Sequence, residues 1–262
     1  MVVDLVVSTR RFGYEATNMR SGRIAALAVA LFIILSIVRA PAALVVSVLP
    51  PTVGMAGVSG TVWSGQTANL TVSLGDQRLA LGQTTWQINP LKLLTGSAIK
   101  LTTDWGRQRA QATVDVGFDG SVTVTDSSLN LDVGWLRRVI PLYVAGVIDA
   151  DIERMKVSSS AVNDVTGRLV WTDAAWRANG GDILLGSYAV DMSTSDDGVL
   201  GEVITLKGAL TVTGSIRIKG SEYELSLDLT GPAARNEAFQ QSIALMATPS
   251  GAGYRIALTG TL

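Results

Sequence analysis

Apolar and polar residues alternate with a period of two along most of this chain. Ala112, Val114, Val116 and Phe118 flank Thr113, Asp115 and Gly117, and Leu129, Leu131 and Val133 flank Asn130 and Asp132. Ile216 and Ile218 alternate with Arg217 and Lys219; Tyr223, Leu225, Leu227 and Leu229 alternate with Glu224, Ser226 and Asp228; Tyr254, Ile256 and Leu258 close the chain in the same way. This pattern predicts half-buried, mostly antiparallel strands. Turn signals separate them at Gly75-Asp76, Asp119-Gly120, Asp197-Gly198, Gly231-Pro232 and Pro249-Ser250-Gly251. Helical spacing is sparse. Arg235 to Ala247 places Phe239, Ile243 and Met246 on one face ahead of Pro249, and predicts a short helix in the C-terminal half. A turn of helix fits Gly134 to Val139, and Pro90-Leu91-Lys92-Leu93-Leu94 reads as a tight segment leading to a strand near Ile99. The expected class is mainly β: a twisted, mostly antiparallel sheet forming one continuous domain, or two lobes meeting near residues 141–165.

One segment breaks the alternation. Ile24 to Val38 is apolar without a charge, and Ala40 to Val48 resumes after Arg39. Fifteen residues fall short of the ~20 that a hydrocarbon core needs, but the stem of Arg39 can snorkel and extend the span. Arg10, Arg11, Arg20 and Arg23 precede the run, so the positive-inside rule places the N-terminus in the cytoplasm. The reading is a tail at 1–23, a transmembrane anchor at 24–46 and a periplasmic β domain at 47–262. A cleaved signal peptide ending at Ala40-Pro41-Ala42 is the competitor; Arg39 and Pro41 count against it.

Composition narrows the chemistry. The 262 residues include no Cys and no His, with 21 basic against 22 acidic side chains. Disulfides, Cys or His zinc ligation, a Cys nucleophile and a His-based triad all lack their atoms. No basic excess suits a nucleic acid. Asp149, Asp151 and Glu153, and the pair Asp196 and Asp197, read as solvated acids; the former lack the turn Gly and further oxygens of an EF-hand loop. Ser64, in Val62-Trp63-Ser64-Gly65, is not a nucleophile elbow. No cofactor is expected. Trp63, Trp86 and Trp171 lie in or beside β-like runs and read as core or sheet-capping residues rather than ligand platforms; Trp105 and Trp135 sit at turns and read as surface. A sheet with one apolar face must cover it. Either a second sheet and the short helix do so, or the face is a groove for lipid or a partner strand; the balance favours closure.

Several blocks carry a resemblance. Gly57-Val58-Ser59-Gly60-Thr61-Val62-Trp63-Ser64-Gly65 resembles the G-x-x-G-T-V-W-x-G opening of type II secretion system protein N. Leu81-Gly82 with Trp86, and Pro90-Leu91-Lys92-Leu93-Leu94-Thr95-Gly96, resemble its next block. Gly167-Arg168-Leu169-Val170-Trp171 with Ala174, and Leu184-Leu185-Gly186-Ser187-Tyr188, resemble later strands. The first two blocks are the specific ones; the later ones share general strand grammar. Leu136-Arg137-Arg138-Val139-Ile140-Pro141-Leu142 departs from the pattern.

The resemblance implies a single-pass inner-membrane protein of Gram-negative bacteria with an AsmA-like periplasmic β domain. It would be a non-enzymatic accessory of the type II secretion machine, with other secretion components as partners. It carries no catalytic residue to transfer. Gly60, Trp63, Gly65, Gly82, Trp86, Pro90, Leu94, Gly96, Gly167, Trp171 and Gly186 are expected to be structural. The alternative is an AsmA-like periplasmic protein that binds or transfers lipid.

Overall fold

The computed structural model describes residues 15–74, 77–90, 92, 97–117, 119–138, 143–158, 161–178 and 181–261. The chain divides into two compact units, Met1–Pro41 and Ala42–Leu262.

The first unit holds α1, Glu15–Val38. Large apolar residues stand exposed all around it, among them Ile24, Leu27, Phe32 and Ile34. Its final bonds run from Arg39 N–H to Leu35 O and from Ala40 N–H to Ile37 O. The single anchor expected over 24–46 is not continuous. Pro41 has no N–H and pushes Ala40 away from helical geometry, so the chain restarts as α2, Ala43–Val48. Among the described residues no helix is long and apolar enough to cross a membrane.

The second unit is one antiparallel sheet. Its strands are β1 Val53–Gly60, β2 Ser64–Leu74, β3 Gln77–Ile88, β4 Ser97–Trp105, β5 Gln108–Val116, β6 Val122–Asp132 and β7 Val144–Ser158. They continue as β8 Ala161–Ala178, β9 Gly181–Ser195, β10 Gly198–Gly208, β11 Thr211–Lys219, β12 Glu222–Thr230, β13 Ala247–Ser250 and β14 Gly253–Thr261. Each strand up to β12 pairs with its neighbour in sequence; β14 then pairs with β12, and β13 lies at the edge. Two-residue turns make this order easy to reach. Asp196-Asp197, Gly220-Ser221 and Gly251-Ala252 each join neighbouring strands, with Gly220 and Gly251 at φ +63° and +56°. No boundary divides the sheet near 141–165, because β7 and β8 pair from Val144 to Ala161.

Register sorts the side chains. Trp86 pairs with Leu101, Ile99 with Val114, Val114 with Val124, Val124 with Met155 and Met155 with Val165. Leu169 pairs with Val190, Val190 with Val203, Ile216 with Leu225 and Leu225 with Leu258. Paired residues share a face, so one face is apolar from end to end. The other carries cross-strand ion pairs such as Arg109–Asp104, Arg168–Asp191 and Arg255–Asp228.

Closure, the favoured expectation, holds for only part of the apolar face. The described strands form a single sheet with no second layer. Over its C-terminal third, a 3-10 turn at Ala233–Arg235 and α3, Glu237–Ile243, provide a lid. There Leu185, Tyr188, Leu210, Leu229, Phe239 and Ile243 make a buried core. The lid is shorter than the 235–247 expected. The Asn236 side chain accepts from the N–H groups of Ala238 and Phe239 at 3.0 and 3.2 Å and starts the helix. Ala247 to Ser250 are drawn instead into pairing with β14. The helical turn expected near Gly134 is a 3-10 helix at Val133–Arg138.

Candidate functional site

The first motif block folds into a small brace at one end of β1, β2 and β3. Gly60, at φ +96°, lies beside Gly65, and a Cβ on Gly60 would fall 2.6 Å from Ser64 O. Between them Thr61 N–H donates to Ser64 O at 2.8 Å, and Ser64 N–H donates to Thr61 Oγ1 at 3.1 Å. Trp86 lies across Gly65: a Cβ there would fall 2.3 Å from Trp86 Cζ2. The indole is buried and its Nε1–H donates to Val62 O at 3.0 Å. Trp63 is half-buried, and its carbonyl accepts from Ile88 N–H at 2.7 Å. A shallow cleft of about 360 Å³ lies here, lined by Ser59, Ser64, Gln66, Thr85 and Gln87 with the motif residues.

A second brace repeats the device. Trp171 on β8 donates its Nε1–H to Ala145 O at 3.1 Å, and a Cβ on Gly146 would lie 2.6 Å from that nitrogen. Trp171 also meets Tyr188 with ring centroids 6.0 Å apart. Gly167 leaves room for Ile152, and Gly186 abuts Gly208. Gly82, further along β3, lies under Trp105. Pro90 follows the end of β3. Leu94 and Gly96 lie outside the described residues. The described motif residues therefore do not converge on one pocket: Gly60, Trp63, Gly65 and Trp86 share the first brace, and Trp171 belongs to the second. Gly146 escaped the sequence reading, although a glycine one strand before a tryptophan was its signal.

Electrostatics give no reaction centre among the described residues. Asp149, Asp151 and Glu153 are exposed on β7, and the Asn130 amide donates to Asp149. No described group of three carboxylates is placed to hold a metal. A cleft of about 890 Å³ at the ends of β9 to β12 and β14 mixes Arg217 and Lys219 with Asp197, Glu222 and Glu224. Hydrogen bonds from Ser121 hold the Asp119 carboxyl low, and those from Arg255 do the same for Asp228. Burial pushes the Tyr188 phenol up to about 12 while its O–H donates to Leu210 O at 2.9 Å. These groups serve turns, strand pairs and the core. Trp105 and Trp135, expected at the surface, are half-buried, with centroids 6.0 Å apart. Among the described residues no acceptor meets their buried Nε1–H groups.

With both braces in place, the family can be stated. The model of the family described as "Type II secretion system (T2SS), protein N" matches residues 51–257. This chain belongs to that family. Every motif glycine and tryptophan named above falls inside the matched stretch. Among curated proteins, it is 27% identical over 241 residues to the type II secretion system protein N of Aeromonas hydrophila, covering 88% of this chain and 94% of that one. It is also 27% identical over 202 residues to the protein of that name from Vibrio cholerae serotype O1, covering 73% of this chain and 74% of the other. No solved structure gives a significant match.

Proposed function

We propose that this chain is a non-enzymatic accessory component of the type II protein secretion machine. In this reading α1 holds it at the inner membrane, and its sheet meets other envelope components in the periplasm. Membership in the protein N family, over 51–257, is the observation that carries it. Two physical features support the finer parts. Helix α1 is apolar on every side from Ile24 to Val38 and exposes those side chains; a helix apolar all round belongs inside a protein or a bilayer. The four arginines before that segment favour the sheet on the far side of the membrane. At one margin, β1 runs its eight residues without a charge, so its outer backbone groups can add a partner's strand.

The test is affinity purification of the tagged full chain from crosslinked cells that express the whole machine. Recovery of at least one other secretion component is expected. A clean preparation of this chain alone would overturn the proposal.

A further inference from the structure

The two margins of the sheet are protected unequally. At one margin β13 has four residues, and Pro249 is among them. Short length and a proline both discourage the addition of a further strand. At the other margin β1 has eight residues, with neither a charge nor a proline. No charged residue occurs anywhere from Ala40 to Gly75. Thr52 O faces β2, where it accepts from Ser73 N–H at 2.7 Å. Backbone groups alternate in direction along a strand, so Gly54 also faces β2 and Met55 turns its N–H and C=O to the outside. Such an edge needs another form of cover.

Residues 42–52 supply it. Ala42 N–H donates to Gly60 O at 3.1 Å, at one end of β1. At the other end Val53 N–H donates to Pro50 O at 2.9 Å and closes a turn with Pro51 at its second position. Strand β1 is ~23 Å long at about 3.3 Å per residue. Helix α2 contributes only ~9 Å at 1.5 Å per residue, and the turn holds its own ends within ~7 Å. The segment therefore has little slack and runs beside β1, with α2 against that strand. Ala42 is buried, and Val45 and Leu49 are half-buried; helical spacing puts these three on one side. Leu44, Val46 and Val48 stand exposed. The cover is weakly held. Helix α2 has six residues and no side-chain cap, and three of the six are valine, a residue that favours strands.

We propose that residues 42–52 form a strap that closes the β1 edge against a second copy of this chain. With the strap lifted, the β1 strands of two copies pair antiparallel about a twofold axis. That pairing uses the same uncharged edge on both copies and stops at two chains. Head-to-tail growth would have to use the edge that holds Pro249. A strand from another component would have to lift the same strap. Self-pairing can be measured with no secretion component present, so it stands apart from that assignment.

The mass of the full chain in mild detergent, read by light scattering after size-exclusion chromatography, tests this. Wild type is expected to carry one chain per particle. The double variant Val45→Ser, Leu49→Ser removes the apolar contacts of the strap and should shift most particles to two chains. Hydrogen exchange over residues 42–52 should quicken severalfold in the same variant. A second variant, Ala42→Pro, removes the N–H that bonds Gly60 O and should give a smaller share of dimer. Adding Met55→Pro to the double variant takes away an outward N–H and should return it to one chain; association through α1 would not respond to that change. Far-UV circular dichroism checks that each variant keeps its strands. A two-chain wild type that Met55→Pro makes single, faster exchange without a dimer, unchanged exchange in the double variant, or a dimer that survives Met55→Pro overturns the proposal.

Discussion

At Gly65 a methyl group would sit 2.3 Å from the Trp86 ring, and at Gly146 it would sit 2.6 Å from Trp171 Nε1. The two tryptophans fill the space that these glycines leave, and each N–H reaches a carbonyl near the adjoining strand. Gly65→Ala should therefore destabilise the sheet by about 1–3 kcal/mol through overpacking, read as a lower urea midpoint. Trp86→Phe keeps a ring but leaves Val62 O without its donor, and should cost about 1 kcal/mol or more. Tyr188 gives a pH test. Burial raises its pKa to about 12 in the folded chain, whereas an unfolded tyrosine ionises near ~10. Its contribution is thus intact below about pH 10 and declines as pH rises toward 12, because the unfolded state loses its proton first. The stability advantage of wild type over Tyr188→Phe should shrink across that window. An advantage independent of pH would refute the shifted phenol. The sequence pointed to the glycines and tryptophans of the motifs but not to their pairing, since Gly65 and Trp86 are neighbours only through the β2–β3 register.

Among the elements, strands were the easiest to read, because a face half-covered by its neighbours imposes strict alternation. The helices were harder. The apolar spacing after Arg235 extends past Ile243, but Asn236 fixes the start and β14 claims Ala247 to Ser250. Pairing with a neighbouring strand outweighed one more turn of an exposed helix. Leu245, now fully exposed, shows what that exchange left outside. Two substitutions separate the roles within the lid. Asn236→Ala removes the cap and should cost about 1 kcal/mol. Phe239→Ala empties a buried site beside Trp176, whose ring centroid lies 6.1 Å away, and should cost about 3–5 kcal/mol. Thermal unfolding of the two variants checks that order; a larger loss for the cap than for the core would contradict it. The N-terminal segment shows a similar limit of sequence reading. Hydropathy merged Ile24 to Val38 with Ala40 to Val48 into one span, and Pro41 separates them into two helices.

Among the described residues the sheet has no second layer. Composition and period could give the strands and the apolar face, but not whether that face was doubled over. Whether a sheet folds onto a second layer depends on long-range topology, and the same alternation serves a sandwich and a single sheet. Large uncovered surfaces are where partners bind. The proposed function therefore requires the sheet, rather than α1, to make the contacts with the secretion machine. Site-specific photocrosslinking in living cells tests this most directly, with a benzophenone side chain placed in turn at Met55 on β1, Lys100 on β4, Glu224 on β12 and Leu31 on α1. Adducts with another secretion component are expected from at least one of the three sheet positions. Adducts from Leu31 alone, with none from the sheet while the machine is present, would show that the helix and not the sheet is the contact surface.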